Sequence, residues 1–332
     1  MGQGHLVDRF NRIATNLRVS VTDVCNLRCT YCMSEDMQFI DKSKIMTFDE
    51  IDQLVRIAVG LGVNKVRITG GEPLVRPNLS DLILRVLEID GIKDVSLTTN
   101  GIGLAKQAQA LYDAGLRRIN VSLDALSEAK FEQITRRKAL TKVLEGLKEA
   151  NRCGFNPIKI NAVTMRGFTE EEVVKLVSFA RKNSYEMRFI EFMPLDADDI
   201  WGRNMFVPKK ELVDKISELY PLEPIESSST LKHETAKNYQ FKDGIGRVGF
   251  ISSVSEPFCD DCNRVRLTAD GKFRNCLFAT EETDLLTPLR KGASDEVIAD
   301  MMIESVAKKK AGHLINSVDF IKPKRNMSMI GG

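Results

Sequence analysis

Residues 17–36 read LRVSVTDVCNLRCTYCMSED, a short apolar strand pattern followed at once by three cysteines. Cys25, Cys29 and Cys32 have the spacing C-x3-C-x2-C on one short loop. In parallel α/β folds chemistry gathers at the carboxyl ends of strands, and this loop lies at such an end. Three thiolates on one loop can converge on a metal or a cluster and leave one coordination position open.

The donor set of this first triad favours iron and sulfur. A closed structural zinc site normally has four ligands, and no histidine lies nearby to supply the fourth. Ligation by thiolates alone suits iron–sulfur, and three ligands indicate a [4Fe–4S] cluster with one open iron. A zinc knuckle with a distant fourth ligand is the alternative.

The composition indicates a folded chain of roughly two domains. Of its 332 residues 43% are hydrophobic, which excludes a disordered, collagenous or small disulfide-stapled protein. Lys and Arg total 48 against 46 for Asp and Glu, so a net charge of +2 argues against a dedicated nucleic-acid binder.

The seven cysteines set the expected compartment, since clustered thiols stay reduced in the cytosol and there bind metal or do chemistry. No apolar run is long enough to cross a bilayer, and the start MGQGHLVDRF has no apolar signal core. We therefore expect a cytoplasmic protein without a membrane segment.

Strand and helix patterns alternate from residue 15 to about 193. Thr47 and Glu50 predict a capping box before the first helix. Six βα repeats predict a parallel sheet, either doubly wound or curled towards a barrel, and the pattern favours neither. The candidate strands are Leu17–Val21, Lys65–Thr69, Asp94–Thr98, Arg118–Leu123, Ile158–Val163 and Met187–Phe192.

The pattern changes after Pro194, and we place a boundary near residues 194–205. Helices are predicted at Pro208–Leu219 and at Asp295–Lys309, the latter capped by Ser294. A hairpin is predicted around Asp243-Gly244. Gly244, Gly246 and Gly249 spell the dinucleotide fingerprint, but a strand rather than a helix follows, which favours a glycine-rich hairpin.

A second triad, Cys259, Cys262 and Cys276, has the spacing C-x2-C-x13-C, again with no neighbouring histidine. A second [4Fe–4S] cluster with an open iron is predicted, with a zinc ribbon as the alternative. The seventh cysteine, Cys153, belongs to neither group and is predicted to be an inert core thiol at a helix end.

The turn between the second and third thiol of this triad is predicted at Asp270-Gly271. A two-residue turn there pairs Ala269 with Lys272, and hence places Val265 opposite Cys276. The third thiol is thereby carried back beside the C-x2-C pair. The three histidines, His5, His233 and His313, lie outside the motifs and are predicted to be surface residues.

The first triad together with T-G-G-E-P at Thr69–Pro73 resembles the radical S-adenosylmethionine (SAM) superfamily. In that superfamily the cysteine motif holds a [4Fe–4S] cluster whose unique iron is chelated by the amino and carboxylate groups of SAM. Gly70 and Gly71 lack Cβ atoms and let the backbone approach a ligand closely. Taken alone, the Gly-Gly-Glu-Pro stretch could be an ordinary turn.

The two triads, with six βα units between them, resemble the GTP 3′,8-cyclase family more narrowly, from about Arg18 to the last residue. The shared stretches are N-L-R-C-T-Y-C-M, R-I-T-G-G-E-P-L, S-L-D-A-L, F-I-E-F-M, C-N-R-V-R-L-T and the carboxyl-terminal Gly-Gly. Ser34 departs from the proline that the family usually has there.

This resemblance implies an incomplete (β/α)6 TIM-like barrel of the radical SAM type, followed by a smaller carboxyl-terminal segment that carries a second iron–sulfur cluster. Residues 1–200 would form the barrel and residues 201–332 the auxiliary-cluster and GTP-binding region. The implied activity is conversion of GTP to 3′,8-cyclo-7,8-dihydro-GTP through a 5′-deoxyadenosyl radical, the first step of molybdenum cofactor biosynthesis.

The implied cofactors are two [4Fe–4S] clusters and SAM. The implied partners are GTP, an external electron donor and, downstream, cyclic pyranopterin monophosphate synthase, with neither nucleic acid nor membrane. The chain could be a monomer or a homodimer. Two alternatives are another radical SAM enzyme with an auxiliary cluster, such as a peptide modifier, and a non-enzymatic zinc-binding interaction protein.

The resemblance also assigns site residues. The SAM contacts are Tyr31, Gly71, Ser122 and Met193. The GTP contacts are Arg18, Arg67, Thr98, Lys159, Arg264, Val265 and Arg266, and arginines suit a triphosphate because they bind it through paired hydrogen bonds. Gly331 and Gly332 are assigned a catalytic role in a tail inserted towards the active site, although a terminal Gly pair is ordinarily a frayed end.

Overall fold

The computed structural model describes residues 4–225 and 235–331. Its first half is built from six strands and six helices in alternation. The strands are β1 (Asn16–Ser20), β2 (Lys65–Thr69), β3 (Asp94–Thr99), β4 (Arg118–Ser122), β5 (Ile158–Thr164) and β6 (Glu186–Glu191). The helices are α1 (Phe48–Gly60), α2 (Leu79–Leu87), α3 (Leu104–Asp113), α4 (Glu128–Thr135), α5 (Leu140–Cys153) and α6 (Val173–Lys182).

The second half contributes shorter elements. Its strands are β7 (Leu222–Pro224), β8 (Lys237–Phe241), β9 (Arg247–Ile251), β10 (Arg264–Leu267), β11 (Lys272–Arg274) and β12 (Thr283–Asp284). Its helices are α7 (Lys209–Ser217), α8 (Leu286–Arg290), α9 (Asp295–Ala307) and α10 (Met327–Ile330). Short 3-10 turns lie at Lys42–Lys44 and Pro73–Val75.

The order of the strands decides between the two sheet types. Strands β1 to β6 pair in parallel and in sequence order, so the order does not reverse as it does in a doubly wound sheet. The outer strands β12 and β7 are at opposite ends of the sheet and do not pair with each other within the described residues. The sheet is therefore an incomplete barrel, as the resemblance implies.

The helices cover the outside of this sheet with apolar faces, as the sequence pattern indicates. In α1, Ile51, Leu54, Val55 and Ala58 are buried. The predicted capping box is confirmed, because the Thr47 side chain accepts from the Glu50 amide and the Glu50 carboxylate accepts from the Thr47 amide. No helix among the described residues is long and apolar enough to span a membrane.

The second half of the chain extends the barrel sheet on both sides. Strand β9 pairs in parallel with β6 and forms the predicted hairpin with β8, while β10 pairs in parallel with β1. Consequently the segment that carries the second triad is joined to the first barrel strand by backbone hydrogen bonds.

The predicted register of the second-triad hairpin is wrong by one residue. Arg266 lies opposite Arg274, and the amide of Thr268 donates to the carbonyl of Lys272, so the loop has three residues rather than two. The Thr268 side chain closes this loop, because its hydroxyl group accepts a hydrogen bond from the Lys272 amide and donates one to the Asp270 carboxylate. Val265 is therefore not the partner of Cys276.

Helix α9 also differs from expectation. It ends at Ala307 instead of Lys309, and Ser294 stands at its N-cap position without making a capping hydrogen bond. This difference matters for the site, because Lys309 lies beyond the end of the helix and its side chain is directed at the second triad.

The three-residue loop gives a test of this packing. Gly271 has φ +70°, and an added Cβ would overlap Leu286, whereas Gly244 has φ +78° with no atom within 4 Å. Gly244→Ala should therefore cost ~1 kcal/mol of backbone strain, and Gly271→Ala ~3 kcal/mol because it adds a steric clash. Chemical denaturation of the two variants measures the difference, and equal costs would contradict the packing of α8 on the loop.

Candidate active site

One cavity of about 280 Å³ runs from the carboxyl ends of the barrel strands into the barrel interior. All six cysteines of the two triads line it. The triads therefore face a common space, although they are more than 220 residues apart in sequence. A concave site with a few polar groups at defined places is the usual form of a ligand site.

The first triad lies on the loop that follows β1. Burial raises the pKa of Cys25 to about 11 and that of Cys32 to about 12, and it raises the pKa of Cys29 well above its usual value. Amides near the loop stabilise one sulfur, since the Leu27 amide and the Asn100 side chain point at Cys25 Sγ from 3.4 and 3.7 Å. Such thiols ionise when a metal centre supplies positive charge.

The second triad has the opposite electrostatic setting. Burial alone would raise the pKa of Cys262, but the positive charges of Arg264 and Lys309 outweigh it and lower this pKa to about 6. Burial raises the pKa of Cys259. Cations therefore dominate the surroundings of Cys262 in the second triad, whereas the carboxyl groups of Glu72 and Asp124 lie near the first triad and add to the effect of burial.

Neither triad fits a single metal ion. Within residues 4–225 and 235–331, no three His, Cys, Asp or Glu side chains lie close enough together to hold one ion. A four-iron cluster is wider than one ion, so its thiolate ligands stand farther apart. Three thiols per site, with sulfur as the only donor type, fit two [4Fe–4S] clusters with one open iron each.

Arginines of adjacent strands form the floor of the cavity. Arg18 lies in register beside Arg67 on one side and Arg266 on the other, and all three line the cavity together with Arg264. Burial and the neighbouring cations hold the pKa of Arg18 well below its usual range and lower those of Arg67 and Arg266 to about 10 and about 9. This cluster of like charges suits a polyanionic ligand.

Sequence reasoning missed a fifth arginine, Arg188 on β6. It is buried, lines the cavity and lies in register opposite Asn161. Its charge also lowers the pKa of Arg67. The alternation of β6 could have indicated it, because Arg188 and Ile190 share the inward face of that strand.

Two of the expected GTP contacts do not line the cavity. Lys159 is buried with its Nζ 3.0 Å from Glu186, which also pairs with Arg247. Val265 is fully buried between the two hairpin arginines and can reach a ligand only with its backbone. Thr98 does line the cavity, and its Oγ1 is buried without a hydrogen-bond partner there.

The four expected SAM contacts all line the cavity: Tyr31, Gly71, Ser122 and Met193. The Tyr31 hydroxyl donates to Asp124 at 2.7 Å, and an Asp124 oxygen accepts from the Val163 amide, which fixes the ring beside the first triad. The Gly-Gly-Glu-Pro stretch is therefore part of the cavity wall and more than a turn.

Gly71 has no room for a side chain. An added Cβ would stand 2.5 Å from the Val24 carbonyl oxygen, so the loop that carries the first triad packs directly on this residue. The next residue, Glu72, is buried and accepts from the Leu74 and Asn100 amides and from the Thr99 hydroxyl. Burial raises the pKa of Glu72 to about 7.

The carboxyl-terminal tail is folded into the barrel and is not frayed. Arg266 donates to the carbonyls of Ile330 and Gly331. Gly331 has φ +73°, and an added Cβ would lie 2.5 Å from Ser20 Oγ and 2.7 Å from Thr69 Cγ2, at the ends of β1 and β2. Gly332 lies outside the described residues.

The histidine prediction is wrong for one of the three residues. His313 lines the cavity, packs against the ring of Phe278 with centroids 5.1 Å apart, and has its pKa lowered by burial. His5 is exposed as expected, and His233 lies outside the described residues. Cys153 is the last residue of α5, as predicted, but it is only half-buried, so its placement in the core was wrong, and it does not line the cavity.

Two family models match this chain. A model described as Radical SAM superfamily matches residues 19–180, and one described as Molybdenum Cofactor Synthesis C matches residues 185–315. The two matched ranges together cover the strands that carry both triads.

Curated relatives match over nearly the whole chain. The GTP 3′,8-cyclase of Streptomyces coelicolor is 47% identical over 98% of this chain and 96% of its own length. The GTP 3′,8-cyclase of Alkaliphilus oremlandii is 41% identical over 98% of this chain and 99% of its own length. The mitochondrial GTP 3′,8-cyclase of Arabidopsis thaliana is 42% identical over 98% of this chain and 83% of its own length.

Solved structures share the fold at low identity. Streptococcus suis SuiB bound to S-adenosylmethionine matches with TM-score 0.61 and 15% identity, over 89% of this chain and 69% of that one. His-tagged anSMEcpe with bound AdoMet matches with TM-score 0.62 and 16% identity, over 90% of this chain and 79% of that one. These likenesses confirm the partial barrel.

The pairing of Lys159 predicts a pH-dependent stability. Burial raises the pKa of Glu186, but Lys159 and Arg247 outweigh it, so this pKa lies below its usual value of 4.5. The stabilisation is therefore present above pH 4.5 and is lost as the pH falls through the lower folded-state value. Glu186→Gln should lower the free energy of unfolding at pH 7 by ~2 kcal/mol, because it removes the carboxylate that lies 3.0 Å from the buried Lys159 ammonium.

Denaturation at several pH values measures this effect, with Glu149→Gln as the control because Glu149 pairs with Arg152 at the surface. The gap between wild type and Glu186→Gln should narrow as the pH falls below 4.5. A gap that stays constant from pH 7 to pH 3 would contradict the ion pair.

Proposed function

Because the chain belongs to the GTP 3′,8-cyclase family of radical SAM enzymes, we propose that its cavity holds SAM at the first triad and GTP between the arginines and the second triad. The protein converts GTP to 3′,8-cyclo-7,8-dihydro-GTP, the first step of molybdenum cofactor biosynthesis, with two [4Fe–4S] clusters and SAM. The observation that carries the proposed placement is that both thiol triads and five arginines line one cavity.

Cys25, Cys29 and Cys32 would hold a [4Fe–4S] cluster with one iron open to SAM. When reduced, this cluster would supply the electron that cleaves the C5′–S bond of SAM into methionine and a 5′-deoxyadenosyl radical, and the radical would remove hydrogen from C3′ of GTP. The chain holds SAM in place through the backbone at Gly71 and through Tyr31, Ser122 and Met193, all on the cavity wall. Tyr31 is preset for this task by its hydrogen bond to Asp124.

The arginines bind the triphosphate of GTP in this proposal. Arg18, Arg67 and Arg266 lie side by side, so neighbouring phosphates can each meet a guanidinium group, with Arg264 beside them. Binding a polyanion removes the mutual repulsion of these buried cations. Thr98 offers an unpaired hydroxyl at the end of β3.

Cys259, Cys262 and Cys276 would hold the second [4Fe–4S] cluster, and its open iron would supply an anchor for guanine. Val265 would contribute backbone groups next to the two hairpin arginines. Lys159 would reach GTP only by exchanging Glu186 for a phosphate oxygen, a change that the 3.0 Å ion pair opposes. Holding both ends of GTP places C3′ near the radical source and excludes water, which is the main physical task of such a site.

The carboxyl-terminal tail reaches the cavity, and Met327 and Ser328 form part of its wall. Arg266 holds the tail by the Ile330 and Gly331 carbonyls, so one guanidinium group connects the tail with the triphosphate site. The catalytic role of the glycines then rests on backbone groups, since no side chain fits at Gly331.

The division of the chain and its partners belong to the same proposal. We place a barrel in residues 1–200 and an auxiliary-cluster region in residues 201–332, whereas the two family models divide the chain earlier, between residues 180 and 185. An external one-electron donor reduces the first cluster, cyclic pyranopterin monophosphate synthase takes the product, and the enzyme works in the cytoplasm.

Cys276→Ala tests the second site. This variant should keep the first cluster, and with it SAM binding, but lose cyclisation by at least ~100-fold, more than the loss of an outer-shell partner causes. Anaerobic incubation with SAM, GTP and reductant, followed by quantification of the cyclised nucleotide and of iron, measures both. Cys153→Ala is the control, because Cys153 lies away from the cavity. Unimpaired turnover of Cys276→Ala would refute the second site.

Gly331→Ala tests the tail. The added methyl group would displace the tail from Ser20 and Thr69, so we expect turnover to fall at least ~10-fold while both clusters stay bound. Gly292→Ala is the matched control, since Gly292 has φ +84° and no atom within 4 Å of its Cβ position. Turnover equal to that of the control would show that the inserted tail has no part in the reaction.

A further inference from the structure

A segment that the motifs did not single out wraps the second triad. Residues 309–313 read KKAGH and follow the end of α9. The backbone of Gly312 approaches Cys259, so that a Cβ added there would lie 3.9 Å from Cys259 Sγ. This segment therefore forms the wall of the second site opposite the arginine hairpin.

The side chain of Lys309 points from this segment towards the second triad and is buried, with 3% of its surface exposed. Its Nζ lies 3.5 Å from Cys262 Sγ, 3.3 Å from the Cys262 carbonyl oxygen and 3.1 Å from the Arg264 carbonyl oxygen. An ammonium group has three donors, and these three acceptors use all of them. Lys309 thus holds the C-x2-C pair and the first residue of β10 together.

The charge of Lys309 has no carboxylate partner among the residues the structure describes. A buried ammonium ion is costly unless an anion compensates it. The group that Lys309 contacts is a cysteine sulfur, which is anionic when it ligates a metal centre. The natural counter-ion of Lys309 is therefore the thiolate of a loaded second site.

The position of Lys309 is fixed from the other side by Arg12. This arginine donates to the carbonyls of Cys259 and Ala311 at 2.7 Å and to that of Lys310 at 2.6 Å. Asp8 holds the guanidinium group at 2.6 Å, and its carboxylate is fully buried. The wrapping segment and the C-x2-C pair are consequently tied together on both flanks.

We propose that Lys309 is a positioning residue for the second iron–sulfur cluster: its ammonium group donates to the Cys262 thiolate and, by its charge, raises the reduction potential of that cluster. Adding an electron makes a cluster more negative, so a nearby buried cation stabilises the reduced form more than the oxidised form. Hydrogen bonds to cluster sulfurs act in the same direction. This inference rests on the proposed function, because it needs a cluster at the second triad.

The test is a redox titration of the holoenzyme followed by electron paramagnetic resonance. The cluster at Cys25, Cys29 and Cys32 is the internal reference and is identified by its response to SAM. Lys309→Met removes the charge and the donors, Lys309→Gln removes only the charge, and Lys309→Arg keeps both. Lys308→Met is the matched control, because Lys308 is the exposed neighbour of Lys309.

Lys309→Met and Lys309→Gln should both make the reduction potential of the second cluster more negative. We expect a ~10-fold change in the ratio of oxidised to reduced cluster, which corresponds to ~59 mV for one electron. Lys309→Arg and Lys308→Met should leave it near the wild-type value, and the first cluster should not move. A second cluster at the wild-type potential in both Lys309→Met and Lys309→Gln would overturn the inference alone. A wild-type enzyme without a second cluster would overturn the proposed function and this inference with it.

Discussion

The rest of the site depends on like charges that the barrel buries side by side. Arg266, Arg18 and Arg67 occupy equivalent positions on three adjacent strands, and Arg188 faces them from β6. Burial and mutual repulsion depress the pKa of each member of the trio. Without a ligand these charges repel one another, so the barrel interior gains most from a compact polyanion such as a triphosphate. A near-neutral chain can therefore bind GTP through local charge alone.

The second half of the chain extends the sheet at β1, and this places the two thiol triads on opposite sides of the buried arginines. The first triad follows β1, and the hairpin of the second triad adds to the free edge of β1 in parallel. Both triads are thus anchored to one strand, while the tail enters between them and is held by Arg266. The electrostatic contrast between the triads suits their proposed ligands, since the second lies among the cations that attract GTP.

Much of this architecture could be predicted from the sequence because its signals are local. The capping box of α1 and both cysteine motifs lie within a few residues of chain, and the predicted strands end within a residue or two of the observed ones. The sequence pattern could not distinguish a barrel from a doubly wound sheet, because the two differ in the order of the strands within the sheet. The hairpin register was missed because the Thr268 side chain, not the turn dipeptide, closes the loop. Arg188 could have been found from the alternation of β6, which places it on the inward face of the strand. His313 and Lys309 were missed because contacts between distant segments bring them to the site, His313 to the cavity wall and Lys309 to Cys262.

If SAM and GTP share one cavity, the adenosyl radical formed at one end takes its hydrogen from C3′ of the GTP bound at the other. GTP carrying deuterium at C3′ can show this transfer in an anaerobic reaction followed by mass spectrometry of the 5′-deoxyadenosine released. We expect one deuterium atom in the 5′-deoxyadenosine formed during turnover. Unlabelled 5′-deoxyadenosine accompanied by full conversion of GTP to the cyclised product would contradict this transfer.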